Sequence, residues 1–242
     1  MAPRIPSASD FSPSITLSIT PPPSVKPPLN TLILLHGLGD TQASFARLAR
    51  QLNLAETVCI SLRGPNPIPP LFTGSDTPAF HWGDDVLVDE SRGEIDPDAG
   101  FGTVTRVLGD VVGVLKECGF DERDVMFLGF GQGGMAALHF CSSKLAEFGG
   151  VISIGGKMPS SLSSSGPKAK TPILLLGGSK STQVTRSAVD AVKAKFAEVE
   201  YVKWEKPEDT MPKSREEMLP IMRFFARRLR SRAGVLEGAV EI

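Results

Sequence analysis

From residue 31 onward, short β-rich apolar runs alternate with helix-patterned stretches, which restricts the chain to an α/β fold with a mostly parallel sheet. Thr31-Leu-Ile-Leu-Leu35 is a nearly continuous apolar run, as expected of a strand covered on both faces. The same pattern predicts strands over 57–61, 125–128, 151–154, 172–176 and 199–204. Helices are predicted between them over 41–52, 135–148 and 187–197. Val104, Val107, Leu108, Val111 and Leu115 recur at helical spacing, so 102–118 reads as an amphipathic helix. The last helix starts at the capping-box pattern Ser214-Arg-Glu-Glu217 and runs to about Arg230. Pro220 predicts either a kink there or a fresh start with proline in the first turn.

Ahead of this core, residues 1–12 read as a loose arm. Residues 13–35 read as two strands joined by the proline-rich turn 21–28. Residues 62–100 carry six prolines' worth of irregular sequence (Pro65, Pro67, Pro69, Pro70, Pro78, Pro97), which points to a lid or binding loop. A single domain is expected over 13–231, with a C-terminal tail over 232–242.

The informative segment is Asp124-Val-Met-Phe-Leu-Gly-Phe-Gly-Gln-Gly-Gly134, a buried strand running through a glycine turn directly into a helix. That is the context of a G-x-S-x-G nucleophile elbow, a strained turn that exposes its central residue, and here the central residue is Gly131. Gly129, Gly131 and Gly134 also satisfy G-x-G-x-x-G. A dinucleotide site, however, calls for an early βαβ unit and an acid about 20 residues on, and the next strand ends Ile154-Gly-Gly-Lys157.

Together with Leu35-His-Gly-Leu-Gly-Asp-Thr41, the segment Gly129-Phe-Gly-Gln-Gly-Gly134 resembles the acyl-protein thioesterases and related phospholipase/carboxylesterases. Weaker similarity runs through Arg63-Gly-Pro65, Phe80-His-Trp82 and Phe224-Phe225. The resemblance implies an α/β-hydrolase fold with helices on both faces of the sheet. It also implies a serine nucleophile, a histidine base, an orienting aspartate, and oxyanion donors at the backbone N–H groups of Leu38 and Gln132, with Trp82 nearby for ligand binding. The serine slot falls on Gly131, which cannot be a nucleophile. The acid slot falls on Ser181 in Gly178-Ser-Lys-Ser181, and the base slot near Met211 in Asp209-Thr-Met-Pro-Lys213.

Chain order gives an independent reason. In this fold the histidine follows the nucleophile and the acid, yet the histidines are His36, His81 and His139, and none lies later. His139 reads as a helix-face or core residue and His36 as a backbone-orienting one. The expectation is a pseudoenzyme that binds a protein partner or an acyl or lipid ligand, with a homodimer left open. The alternative is an active ester or thioester hydrolase recruiting Ser179, Ser181 or Cys141.

Other features narrow the classes further. A net charge of −1 gives no reason to expect nucleic-acid binding, which needs a basic stripe to neutralise phosphates. Cys59, Cys118 and Cys141 match no metal spacing and read as buried thiols of a cytoplasmic protein, the nucleus being left open. The first ten residues lack the apolar run of a secretory signal, and no stretch reaches the roughly 18 apolar residues of a membrane span. No cofactor or metal is expected. The acidic run Asp84, Asp85, Asp89, Glu90, Glu94, Asp96 and Asp98 reads as a solvated loop. Arg223, Arg227, Arg228, Arg230 and Arg232 read as a solvated basic helix face. Ile68, Leu71, Phe72, Phe80 and Trp82 could line a pocket or dock a partner, or could pack the loop onto the sheet.

Overall fold

A computed structural model describes residues 2–89, 93–160 and 166–233. In chain order its strands and helices are β1 (Leu17–Thr20), β2 (Asn30–Leu35), α1 (Gln42–Leu52), β3 (Thr57–Leu62), β4 (Asn66–Pro67), α2 (Pro70–Thr73), β5 (Phe80–His81), β6 (Leu87–Asp89) and β7 (Glu94–Asp96). There follow α3 (Gly102–Glu117), β8 (Val125–Phe130), α4 (Gln132–Ser142), β9 (Gly150–Ile154), β10 (Ile173–Gly177), α5 (Arg186–Lys195), β11 (Val199–Lys203) and α6 (Arg215–Arg228). Among the described residues no helix is long and apolar enough to cross a membrane.

Seven strands form the central sheet in the order β1-β3-β2-β8-β9-β10-β11, parallel except for β1 at one edge. β1 pairs with β3, so the proline-rich turn joins two strands that are not neighbours. Alternation along each strand builds two cores, because successive side chains point to opposite faces. Ile33, Leu35, Val58 and Phe127 pack beneath α3, α4 and α5, while Leu32, Leu34, Met126 and Leu128 pack beneath α1 and α6.

Residues 4–11, read from sequence as part of a loose arm, run along the domain. The Arg4 N–H donates to the Cys118 carbonyl, a 3-10 turn spans Ala8–Asp10, and Phe11 is buried in the larger core. The helix expected over 135–148 starts at Gln132, because the elbow turns the chain directly into it, and ends at Ser142. The early end has a local cause. The Ser142 and Ser143 hydroxyls donate back to the His139 and Phe140 carbonyls, a competing pattern that favours helix ends. α6 continues through Pro220, and its Ser214 cap accepts the Glu217 N–H at 3.2 Å.

The basic residues of this last helix and its tail are largely engaged within the domain. Arg228 pairs with Glu147, Arg227 with Glu200, Arg230 with Asp124 and Arg232 with Glu56. They pin the C-terminal segment to β11 and to the residues that lead into β3, β8 and β9.

Candidate functional site

Steric demands at the elbow differ sharply from one glycine to the next. A Cβ at Gly129 would lie 2.4 Å from the Gly133 backbone, and one at Gly133 would lie 2.4 Å from the Leu35 and His36 carbonyls. These glycines let helix α4 start against the ends of β8 and β2. A Cβ at Gly131 would meet nothing within 4 Å. Gly131 does hold the strained backbone the turn requires, φ 49° and ψ −119°, with its N–H donated to the Ile154 carbonyl at 2.8 Å. The elbow is therefore built, and there is room for a side chain at its centre. Gly133→Ala should cost about 3 kcal/mol or more through backbone collision. Gly131→Ala should cost only the strain of an L-residue at positive φ, roughly 1–3 kcal/mol. Urea unfolding of the two variants checks that order.

Beside the elbow lies the loop 36–41. His36 is fully buried; its Nε2 accepts the Gly64 N–H at 2.9 Å, so its proton is on Nδ1 and is donated to the Gly37 carbonyl at 2.7 Å. Both ring nitrogens are thus committed to backbone, and His36 orients the loop rather than moving protons. The loop also meets the lid, because Gly39 N–H donates to the Phe80 carbonyl at 2.9 Å. Trp82, expected beside a ligand, is fully buried and clamps this junction by donating its indole N–H to the His36 carbonyl at 2.7 Å. Gln132 completes the clamp: Oε1 accepts the Trp82 N–H at 2.8 Å and Nε2 donates to the Pro97 carbonyl at 2.9 Å. Its backbone N–H, in the first turn of α4, has no partner four residues back within the helix.

Burial lowers the His36 imidazole below its ordinary value, and also those of His81 and His139. Below about pH 6.5 the unfolded chain binds protons that the native chain refuses, so stability falls as pH falls. One such proton gives a slope of about 1.4 kcal/mol per pH unit. The melting temperature should drop steadily from pH 7 to pH 5, with proton uptake on unfolding measured in buffers of different ionisation heat. A flat profile would rule out the buried neutral imidazole.

The loops read from sequence as the acid and base slots hold an arrangement that spacing did not reveal. The Ser181 hydroxyl donates to Asp209 Oδ2 at 2.5 Å and accepts the Val184 N–H at 2.7 Å. Asp209 Oδ1 accepts the Gly178 N–H at 2.8 Å, and its side chain lies against Gly155, where a Cβ would come within 2.8 Å of it. A carboxylate is thus supplied from the loop that carries Met211 to the loop that carries Ser181, 28 residues away in sequence. Met211 packs instead with Phe130 and Met218 against the α1/α6 core. Lys206 holds this loop by donating to the Thr210 and Met211 carbonyls and to Glu217, while it lies 3.9 Å over the Trp204 ring.

Residues 22–229 match the phospholipase/carboxylesterase family. The chain belongs to that family. An uncharacterised hydrolase of Schizosaccharomyces pombe is 30% identical over 218 residues, covering 88% of this chain and 89% of the relative. A second uncharacterised hydrolase, from Mycosarcoma maydis, is 32% identical over 157 residues, covering 60% of this chain and 55% of its own. Among solved structures, the esterase PE8 superposes with a TM-score of 0.71 at 17% identity, covering 89% of this chain and 99% of that one. An acyl-protein thioesterase 2 of Zea mays gives a TM-score of 0.62 at 20% identity, covering 89% of this chain and 99% of that one. These likenesses to solved structures carry the α/β-hydrolase fold.

Within this phospholipase/carboxylesterase domain, the other nucleophile candidates are engaged or sealed. Ser179 donates to the Glu205 and Lys206 carbonyls. Cys141 is fully buried in α4, and burial pushes its thiol far up, so no thiolate forms. Cys59 is likewise pushed up to about 12. His139 donates from Nδ1 to Thr105 Oγ1 at 3.0 Å, since that hydroxyl's own proton goes to the Phe101 carbonyl, and so ties α4 to α3. His81 is buried, and its Nδ1 has no hydrogen-bond partner among the described residues.

The acidic run performs structural tasks where it is described. Asp84 caps α3 by accepting the Gly102 and Thr103 N–H groups at 2.7 Å each, and Asp98 accepts the Ser160 N–H at 2.8 Å. The Asp89 side chain and Glu90 lie outside the described residues. Of the apolar residues in this segment, Ile68 and Trp82 pack inward, while Leu71 and Phe72 are exposed.

Proposed function

We propose that this domain is a non-catalytic member of its family, which binds a protein partner or an acyl-bearing ligand beside the elbow without cleaving it. The observation that carries this reading is Gly131. It occupies the turn where a nucleophile would stand, in a backbone that would accept a side chain and has none. Two further observations support it. Ser181 is spent on Asp209, and Met211 faces an apolar core, so neither a free acid nor an imidazole stands ready to activate a nucleophile. The backbone N–H groups of Leu38 and Gln132 are the donors on which a carbonyl or carboxylate would sit. Trp82 and the Gln132 amide would hold those donors in register with the lid. Three buried free thiols support a reducing, cytoplasmic setting.

A hydrolase recruiting Ser179, Ser181 or Cys141 finds no support, since each is held by other groups or sealed from solvent. The test is turnover of p-nitrophenyl butyrate and of an acyl thioester by the purified full chain. The expected rate is that of buffer. Saturable turnover that survives repurification would refute the reading.

A further inference from the structure

β11 is the last strand of the sheet, and no described strand pairs with its outer side. Its bonds to β10 fix which of its backbone groups are spent. The Ile173 N–H donates to the Glu198 carbonyl at 2.9 Å, the Trp204 N–H donates to the Gly177 carbonyl at 2.8 Å, and Leu175 lies opposite Tyr201. Alternate residues of a parallel strand bond to one neighbour, so the groups of Glu200 and Val202 face β10. Val199, Tyr201 and Lys203 turn their N–H and C=O groups outward, where they have no backbone partner among the described residues. Such an edge is a template for an added strand.

A cavity of about 600 Å³ lies beside that edge, between β11 and α5. Arg186, Val189, Asp190 and Lys193 border it at helical spacing, one face of α5, and Tyr201 and Lys203 border it from β11. Val184, Val189 and Tyr201 supply apolar surface between the charges. Arg186, Lys193 and Lys203 are exposed and make no ion pair or side-chain hydrogen bond among the described residues. Against these three cations Asp190 is the one acid among the described residues that line the cavity, so its surface is net positive. Glu198 and Glu200 point to the other face of the sheet, since side chains alternate along a strand, and Glu200 pairs with Arg227. β11 lies three strands from β8, roughly 14 Å across the sheet. The edge is therefore a different place from the elbow, although Ser181 also lines the cavity.

We propose that β11 takes up an extended acidic segment of a partner protein as an eighth strand of the sheet, its carboxylates at Arg186, Lys193 and Lys203. The strand edge supplies backbone hydrogen bonds, and the basic groove selects the sequence. A second copy of the chain is disfavoured, because pairing β11 with itself would bring two net positive grooves together. The proposal goes beyond the reading above and stands whether or not the chain hydrolyses esters. The probe is acetyl-Glu-Val-Glu-Val-Glu-Val-amide, whose carboxylates all fall on one face of a strand. It is titrated into the 15N-labelled full chain, and amide hydrogen exchange is read residue by residue. With peptide at about ten times its Kd, exchange at Val199, Tyr201 and Lys203 should slow about tenfold, while Leu38 and Gln132, beside the elbow, keep their rates. Arg186→Glu combined with Lys193→Glu, both at exposed positions, should weaken this peptide about tenfold or more. The same variant should bind the peptide's lysine counterpart better than the native chain does. Slowing confined to Leu38 and Gln132 would put the peptide at the elbow and overturn the proposal. So would binding without slowing at Tyr201, or an affinity that the double substitution leaves unchanged. Slowing at Tyr201 that grows with protein concentration alone would give the edge to a second copy, and would equally overturn it.

Discussion

Gly131→Ser alone is expected to leave the protein unable to hydrolyse p-nitrophenyl butyrate, even though the new hydroxyl fits. The elbow backbone is in place and nothing lies within 4 Å of the added Cβ, so a serine would project from the turn at a strain of roughly 1–3 kcal/mol. What it would lack is a base. His36 is locked to two backbone groups, His139 is tied to Thr105, and Met211, at the position read from sequence as the base slot, has no imidazole. Triad members act as a unit, and one member restored without the others recovers little.

The structure also says what a full restoration must include. Ser181→Asp would place a carboxylate where the hydroxyl now lies 2.5 Å from Asp209, and two carboxylates sharing one site repel. Gly131→Ser with Ser181→Asp, Met211→His and Asp209→Asn is therefore the combination to make. Its rate should exceed that of Gly131→Ser by on the order of 100-fold or more. Equal rates, in variants shown by circular dichroism to be folded, would mean that Ser181 or Met211 does not stand in the slot assigned to it.

Trp82→Ala should be the most damaging single substitution in the lid. The indole is fully buried, its N–H holds the His36 carbonyl at 2.7 Å, and its ring lies 5.0 Å from the His36 ring. Removing a buried tryptophan costs about 3–5 kcal/mol in transfer and cavity terms. The loss also frees the junction between the lid and loop 36–41. Urea unfolding should show that decrease, and limited proteolysis should cut within residues 62–100 faster than in the native chain. Trp82→Phe keeps most of the buried surface and loses the indole hydrogen bond, so a smaller decrease of about 1–2 kcal/mol is expected. A Trp82→Ala loss below about 1 kcal/mol would contradict the clamp.

Much of the fold was legible because strand burial and helix periodicity are local properties. Thr31-Leu-Ile-Leu-Leu35 announces a doubly covered strand, and the glycines around Phe130 announce a strand driven into a helix. The end of α4 was not legible, since the Ser142 and Ser143 hydroxyls that compete with its hydrogen bonds could equally have faced solvent. Nor was the seating of Phe11, which depends on joining a core built from residues far along the chain. At the site, spacing points to Gly131, Ser181 and Met211 as the triad slots, but it carries no sign of Asp209. Its significance is a contact between two loops, and an acid two residues before Met211 carries no local sign of it. Trp82 had the composition of a pocket wall, and only the hydrogen bonds of Gln132 and His36 show it as a clamp.

The central claim, that the elbow is present without a nucleophile to use it, is tested most directly by covalent labelling. The purified chain is incubated with a fluorophosphonate probe and its intact mass is measured beside that of the four-site restoration. The native chain should remain at its unmodified mass while the restored chain gains one adduct. A single stoichiometric adduct on any serine of the native chain would show a working nucleophile and contradict the claim.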